Sequence, residues 1–144
     1  MHKVFGIKND SEYWDREGAY IIPVNNNKIG VIKTNKGYFF IGGALYDNEN
    51  HEECIIRECI EEIGYSVVIK EKICSAEAYT THPDLGKFHP IQSYYVGELK
   101  QRVSEPIEAD HILMWFKYEE IKGNMFAEMQ NWALEKFAEL LKGR

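Results

Sequence analysis

The stretch that decides the fold is residues 43–65, G-A-L-Y-D-N-E-N-H-E-E-C-I-I-R-E-C-I-E-E-I-G-Y. Asn50 is a good helix N-cap, and Glu53 stands three residues later, where a capping-box partner belongs. Gly64 suits the position just after a helix C-terminus, where the backbone turns left-handed. The spacing therefore predicts a helix over residues 51–63.

Successive residues of a helix are rotated by about 100° around its axis, and with this rotation the predicted helix has an acidic side and an apolar side. The acidic side carries Arg57, Glu58, Glu61 and Glu62. The apolar side carries Ile55, Ile56, Cys59, Ile60 and Ile63. Like charges three and four residues apart repel unless a cation lies among them, so a divalent metal is a natural partner. A solvated acidic helix face is the alternative interpretation.

Strand and turn signals surround this helix. The pattern predicts strands at 17–24, 28–34, 38–41, 90–98 and 111–117, with one or two more in 66–81. The sequence Asn25-Asn26-Asn27 is typical of a turn, so residues 17–34 are expected to form a hairpin. A C-terminal helix over about 125–142 is expected to cover one face of the sheet. The fold class is therefore α/β (α+β), a mixed sheet flanked by helices.

Composition and charge narrow the class of protein. The 144 residues are 44% hydrophobic, which favours one compact domain, 1–144, without a linker. The net charge of −6 argues against nucleic acid as a partner. No segment has the roughly 18 apolar residues that cross a bilayer, so we expect no membrane partner. The three cysteines make no disulfide framework, and reduced thiols suggest a cytoplasmic protein.

The residues of the 43–65 stretch resemble the signature of the Nudix (MutT-like) hydrolases. That signature is Gly, five residues, Glu, seven residues, Arg-Glu, an apolar residue, any residue, Glu-Glu, any residue, Gly and an apolar residue. The chain matches every fixed position, with Cys59 and Tyr65 in the two apolar slots. The flanking elements look like the family's α-β-α sandwich. The resemblance implies an enzyme that cleaves phosphorus-containing anhydrides.

The resemblance also implies Mg²⁺ as cofactor, with Mn²⁺ as a substitute, because hard cations take oxygen ligands. In the family pattern, Glu58 and Glu62 would bind metal directly. Glu61 would bind it directly or through water, and the Gly42 carbonyl would add a ligand. Glu58 is in addition the first candidate for the catalytic base.

Other catalytic residues follow from the same resemblance. Arg57 would pair with Glu49 or with a catalytic glutamate and hold it in place. In many family members the base or an extra ligand comes from outside the motif. Three acids precede the strand predicted at 111–117: Glu105, Glu108 and Asp110. We favour Glu108 among them, and the alternative is that all three are surface acids.

The substrate implied by the resemblance is a nucleoside diphosphate linked to another group, by default a (d)NTP or a modified nucleotide. A nucleotide sugar or a dinucleoside polyphosphate is the alternative, but Thr80 and His82 stand where those classes carry marker Pro and Tyr residues. A non-catalytic nucleotide-binding module is a further alternative. We expect a monomer or homodimer. Four aromatic residues could stack a base or belong to the core: Phe40, Tyr79, Tyr94 and Tyr95. His82 and His89, which flank a predicted loop, are expected to be solvated.

Overall fold

A computed structural model describes residues 1–9 and 12–142. Its strands are β1 (His2–Phe5), β2 (Trp14–Asn25), β3 (Lys28–Thr34), β4 (Gly37–Phe39), β5 (Ile41–Ala44), β6 (Tyr65–Ala78), β7 (Thr80–His82), β8 (Gly86–Arg102) and β9 (Ile112–Phe116). Its helices are α1 (His51–Ile63), α2 (Tyr118–Ile121) and α3 (Glu128–Lys142). The mixed α and β fold class is confirmed, and α1 forms at the predicted residues. None of the described helices is long and apolar enough to cross a membrane.

The sheet is mixed, with the strand order β1-β6-β8-β2-β3-β4. Strand β1 pairs with β6 and β2 pairs with β8 in parallel, while the other pairs are antiparallel. The predicted hairpin over 17–34 is confirmed, because β2 and β3 pair through Val24 opposite Ile29. Its turn uses Asn26 and Asn27 at φ of 51° and 62°, the left-handed backbone that asparagine tolerates.

Alternate residues of β2 show why helices lie on both faces of the sheet. Ala19 and Ile21 pack in the core beneath α1. Tyr20 and Ile22 point to the opposite side, into the core that α3 covers. Successive side chains of a strand face opposite sides, so a strand that is apolar at every position needs cover on both. The result is the predicted sandwich of helix, sheet and helix.

Three elements differ from the sequence prediction. Strand β1 was not predicted, because its side chains are mostly exposed and it is held as an edge strand by backbone pairing to β6. The short helix α2 was also missed. The loop predicted at 82–89 is shorter than expected, since β8 already begins at Gly86 and pairs there with β7.

Both ends of α1 are fixed by local contacts. The Glu53 backbone N–H donates to the Asn50 side chain at 2.8 Å, and the Asn50 N–H donates back to Glu53 at 3.0 Å. At the other end Gly64 is left-handed with φ of +73°. The Gly64 carbonyl accepts from Val103 N–H at 2.8 Å, and the Glu61 carbonyl accepts from two N–H groups of the loop at 107–108. These bonds tie the loop that follows β8 to the C-terminus of α1.

The buried side of α1 agrees with the prediction at Ile55, Cys59 and Ile63 and differs at two other isoleucines. Ile56 and Ile60 are 44% and 37% exposed, whereas Cys54 and the carboxylate-bearing Glu62 are buried. The buried stripe of the helix is rotated toward the acidic side relative to the predicted one. This rotation places Glu62 inside the protein, which the apolar pattern alone did not indicate.

The contact of Gly64 with the loop predicts a large effect of adding a methyl group. A Cβ at Gly64 would lie 2.1 Å from the Ser104 carbonyl oxygen. Gly123 has nearly the same φ, +74°, but a Cβ there would meet nothing within 4 Å. Both Gly64→Ala and Gly123→Ala carry the left-handed backbone cost of about 1–2 kcal/mol. We expect Gly64→Ala to lose about 1–3 kcal/mol more than Gly123→Ala in denaturant unfolding. Equal losses would contradict this contact.

Candidate active site

The end of β5 brings the main chain against the glutamates of α1. A Cβ on Gly43 would lie 2.9 Å from Oε1 of Glu58, so the Glu58 carboxylate rests on the bare backbone. A Cβ on Gly42 would lie 2.2 Å from the Ala19 carbonyl oxygen in β2. A larger residue at Gly43 would collide with the Glu58 side chain, and one at Gly42 would push β5 away from β2, so both glycines are needed for this arrangement.

Arg57 is the cation around which the carboxylates are arranged. Its Nε and Nη2 donate to the two oxygens of Glu49 at 2.7 and 2.9 Å. Its Nη1 donates to Glu58 at 2.7 Å and to Glu61 at 3.2 Å. The guanidinium also stacks 3.6 Å from the ring centre of Tyr46. A planar fork with five donors suits this role better than an ammonium group would.

Glu49 is held in its ionised form. The hydrogen bonds from Arg57 lower the pKa of Glu49 to about 2, with help from the Tyr46 backbone N–H. Its side chain is only 11% exposed, so water does little to screen the pair. The loop before α1 is thereby fastened to the helix at Arg57.

This shift predicts how stability depends on pH. Because the folded-state pKa of Glu49 lies below the unfolded value of 4.5, its stabilising effect is full above about pH 4.5. The effect is lost as the pH falls toward 2. The Glu49→Gln variant should therefore be less stable than wild type at pH 7, and its free energy of unfolding should fall less steeply below pH 4.5. Glu105→Gln, at an exposed position, is the control and should keep the wild-type slope.

Glu62 is a buried carboxyl beside another carboxyl. Its Oε1 accepts from the Gly42 backbone N–H at 3.0 Å, and its Oε2 lies 3.2 Å from Nδ1 of His111. Burial, followed by the hydrogen bond and the charge of Glu58, raises the pKa of Glu62 well above its usual range. Without a further cation, two adjacent carboxylates in this setting repel each other.

Three residues of the loop before β9 face the same cleft. A carboxylate oxygen of Glu108, a carboxylate oxygen of Asp110 and a ring nitrogen of His111 all lie within 4.8 Å of one another. They line a cleft of about 540 Å³ together with Glu58 and Glu62. Of the three acids considered from sequence, Glu105 lies away from this cleft, since it is 88% exposed and pairs with Arg102.

The structure brings together most of the residues singled out from sequence. Gly42, Glu58, Glu62 and Glu108 line the cleft. Glu49 and Arg57 lie behind it as its support. Glu61 turns its carboxylate to Arg57 and does not line the cleft in this conformation. His111 was missed, because nothing in a single histidine at the start of a predicted strand indicates which carboxylates it will meet.

Two expectations for individual side chains need comment. His89 was expected to be solvated, and this is wrong. It is buried on β8, and its ring nitrogens lie 2.8 Å from Asp15 and from Glu77. Tyr79 stacks on His89 with ring centres 4.3 Å apart. Two of the aromatic residues that could have stacked a base are fully buried in the core: Phe40 and Tyr94.

The donors in the cleft fit a hard divalent cation. Four carboxylates converge there: Glu58, Glu62, Glu108 and Asp110. The guanidinium of the nearby Arg57 already donates hydrogen bonds to Glu49, Glu58 and Glu61. Oxygen ligands of this kind suit Mg²⁺ or Mn²⁺, and one imidazole beside them is compatible with Mn²⁺.

Comparison with known proteins gives concordant results. A family model described as NUDIX domain matches residues 15–140. The E. coli ORF135 protein superposes with a TM-score of 0.75 at 19% identity, over 92% of this chain and 94% of that one. The MutT protein of Methanosarcina mazei Go1 gives 0.75 at 18%, over 92% and 99%. A MutT NUDIX hydrolase from Burkholderia pseudomallei gives 0.72 at 20%, over 85% and 98%. No curated protein matches the sequence.

Proposed function

The chain belongs to the NUDIX family and is a Nudix hydrolase, and from this premise we propose that it cleaves a nucleoside diphosphate linked to another group, with Mg²⁺ as cofactor. The observation that supports the proposal most is the meeting of Glu58, Glu62 and Glu108 in one cleft. A nucleoside triphosphate, ordinary or modified, is the proposed substrate.

The proposed cation site lies between α1 and β5. Glu58 and Glu62 would hold the cation, Glu61 would do so directly or through water, and the Gly42 carbonyl would contribute a further oxygen. When bound, the cation neutralises charge on the pyrophosphate oxygens and makes a bound water more acidic. Gly43 leaves the space that the Glu58 carboxylate occupies beside the main chain.

Positioning and proton transfer are assigned to different residues. Arg57 and Glu49 orient the carboxylate of Glu58 through the bonds described above. Glu58 is the first candidate to accept the proton of the attacking water. Glu108 is the second candidate, because it lines the same cleft from outside the 43–65 stretch.

Glu108 can be tested against a close neighbour. We expect Glu108→Gln to lower kcat by about 10²-fold or more, since an amide cannot accept the proton or neutralise a cation. Glu105→Gln, three residues away and 88% exposed, should keep wild-type kcat. Steady-state kinetics with Mg²⁺ in excess measure both. Wild-type turnover in Glu108→Gln would remove this residue from the mechanism.

The proposed function is tested by phosphate and pyrophosphate release over a panel of nucleotides. The panel holds nucleoside triphosphates, oxidised nucleotides, nucleotide sugars and dinucleoside polyphosphates. We expect Mg²⁺-dependent cleavage of at least one triphosphate, abolished by chelation. Cleavage of only sugars or dinucleotides would overturn the substrate assignment, and binding without any turnover would overturn the catalytic one.

A further inference from the structure

A second groove adjoins the carboxylate cleft. It has a volume of about 880 Å³ and lies between the edge of the sheet and the start of α3. Four residues line both the groove and the cleft: Arg16, Tyr20, Lys36 and Phe39. A ligand whose phosphates reach Glu58 and Glu62 can therefore extend directly into this groove.

Two aromatic pairs line the groove. Trp14 and Phe88 stack with ring centres 5.4 Å apart at an angle of 21°. Phe39 and Phe126 stack with centres 5.2 Å apart at 29°. Trp14 is 49% exposed and Phe126 is 60% exposed, although both are large apolar residues. Exposed aromatic rings gathered at one groove are suited to stacking on a flat ligand.

The two cations at the junction of groove and cleft have no acidic partner among residues 1–9 and 12–142. Neither Arg16 nor Lys36 forms an ion pair there. Arg16 donates from Nη1 to the Tyr20 hydroxyl at 3.5 Å. In a chain with a net charge of −6, two cations without acidic partners beside an acidic cleft match a ligand that carries negative charge.

The polar side chains at the floor of the groove are hydrogen-bonded to other groups of the protein. The amide oxygen of Gln130 accepts from the Phe40 backbone N–H at 2.9 Å. The amide oxygen of Gln92 accepts from the Tyr94 hydroxyl at 2.6 Å and from Gln130 at 3.4 Å. Both side chains are buried. Since these oxygens are engaged, the floor has little left with which to read the hydrogen-bonding edge of a base.

We propose that this groove binds the nucleobase of the substrate by stacking on Trp14 and Phe126, while Arg16 and Lys36 bind phosphate oxygens at the junction with the cleft. The groove recognises the flat ring and discriminates weakly between the four bases. This inference rests on the proposed function only in that the phosphates occupy the carboxylate cleft.

Tryptophan fluorescence tests the groove without any turnover. The protein with Mg²⁺ in excess is titrated with each of four nucleoside monophosphates (adenosine, guanosine, cytidine and uridine), which contain no anhydride bond to cleave, and with inorganic pyrophosphate. We expect the nucleotides to quench the emission and pyrophosphate to leave it nearly unchanged. Trp14→Phe should abolish the quenching, whereas Trp115→Phe, in a strand that does not line the groove, should retain it. Quenching that persists in Trp14→Phe would overturn the placement of the base.

Affinities then separate the base from the phosphates. Phe126→Leu should weaken nucleotide binding about tenfold or more, since a base stacked on an aromatic ring contributes about 1–3 kcal/mol. The same variant should leave pyrophosphate binding within twofold of wild type. Arg16→Gln and Lys36→Gln should weaken both ligands. Dissociation constants for the four bases are expected to agree within about tenfold, and a single strongly preferred base would overturn the stacking-only groove.

Hydrolysis is measured in parallel, so that failure of the proposed function and failure of the proposed groove can be distinguished. Stacking-dependent binding without Mg²⁺-dependent cleavage would contradict the proposed function and keep the groove. Cleavage with an unchanged KM in Phe126→Leu and Trp14→Leu would contradict the groove and keep the proposed function.

Discussion

Replacing Glu58 with glutamine should lower kcat for Mg²⁺-dependent hydrolysis by about 10²–10⁴-fold, the range seen when a positioned acid–base group is removed. The Glu58 carboxylate rests on the bare backbone of Gly43 and is held by Arg57 at 2.7 Å. A glutamine keeps the shape but can neither accept a proton nor neutralise a cation. Steady-state kinetics give kcat, and calorimetric titration with Mg²⁺ gives the affinity for the cation.

A second glutamate of the same helix provides the control. Glu52 is exposed in the first turn of α1, so Glu52→Gln should keep wild-type kcat and Mg²⁺ affinity. Glu62→Gln is expected to lose Mg²⁺ affinity as Glu58→Gln does, but to stay as stable as wild type without metal. The reason is that burial already favours the uncharged form of Glu62. Wild-type activity in both Glu58→Gln and Glu62→Gln would contradict the proposed site.

Replacing Arg57 with alanine should reduce both stability and activity. Arg57 is 17% exposed, and its loss leaves the Glu49 and Glu58 carboxylates, 11% and 14% exposed, without their counter-charge. Removing one partner of a buried ion pair costs about 3–5 kcal/mol of unfolding free energy. We expect a loss near the lower end of this range, because the site retains some contact with water. Chemical denaturation at pH 7 measures it.

Two further variants show whether geometry or charge is responsible. Arg57→Lys keeps the charge but offers one ammonium group in place of a planar fork, so it should recover little of the lost kcat. Arg102→Ala removes an arginine whose partner Glu105 is on the surface, and its stability should change little. Full recovery of kcat in Arg57→Lys would show that Arg57 acts through charge alone.

Local contacts explain why part of the site was predictable from sequence. The ends of α1 follow from Asn50, Glu53 and Gly64, which act on backbone groups within a few residues. Asn48, in the loop before α1, likewise takes the left-handed backbone that asparagine tolerates, with φ of 65°. Because Arg57 and Glu58 lie on one helical segment, their neighbourhood is also largely set by spacing.

Contacts between distant segments were not predictable in the same way. The apolar pattern of α1 indicated Ile56 and Ile60 as buried, yet both are partly exposed and Glu62 is buried instead. Which stripe of a helix is covered depends on the surface it packs against. The sequence has several acids before β9, and the bonds from the loop at 107–108 to the Glu61 carbonyl hold Glu108 beside the cleft.

The sequence by itself determined the family resemblance, the helix that carries the glutamates and the type of chemistry, because these depend on residue type and short-range spacing. The tertiary structure alone decided that His111 meets Glu62 and that Arg16 and Lys36 stand between the cleft and an aromatic groove. Those contacts join residues far apart in the chain, and their energy depends on how β2, β8 and the loop before β9 pack together. For this reason the residues proposed to bind the metal could be named from the sequence, while the groove proposed to receive the rest of the substrate could not.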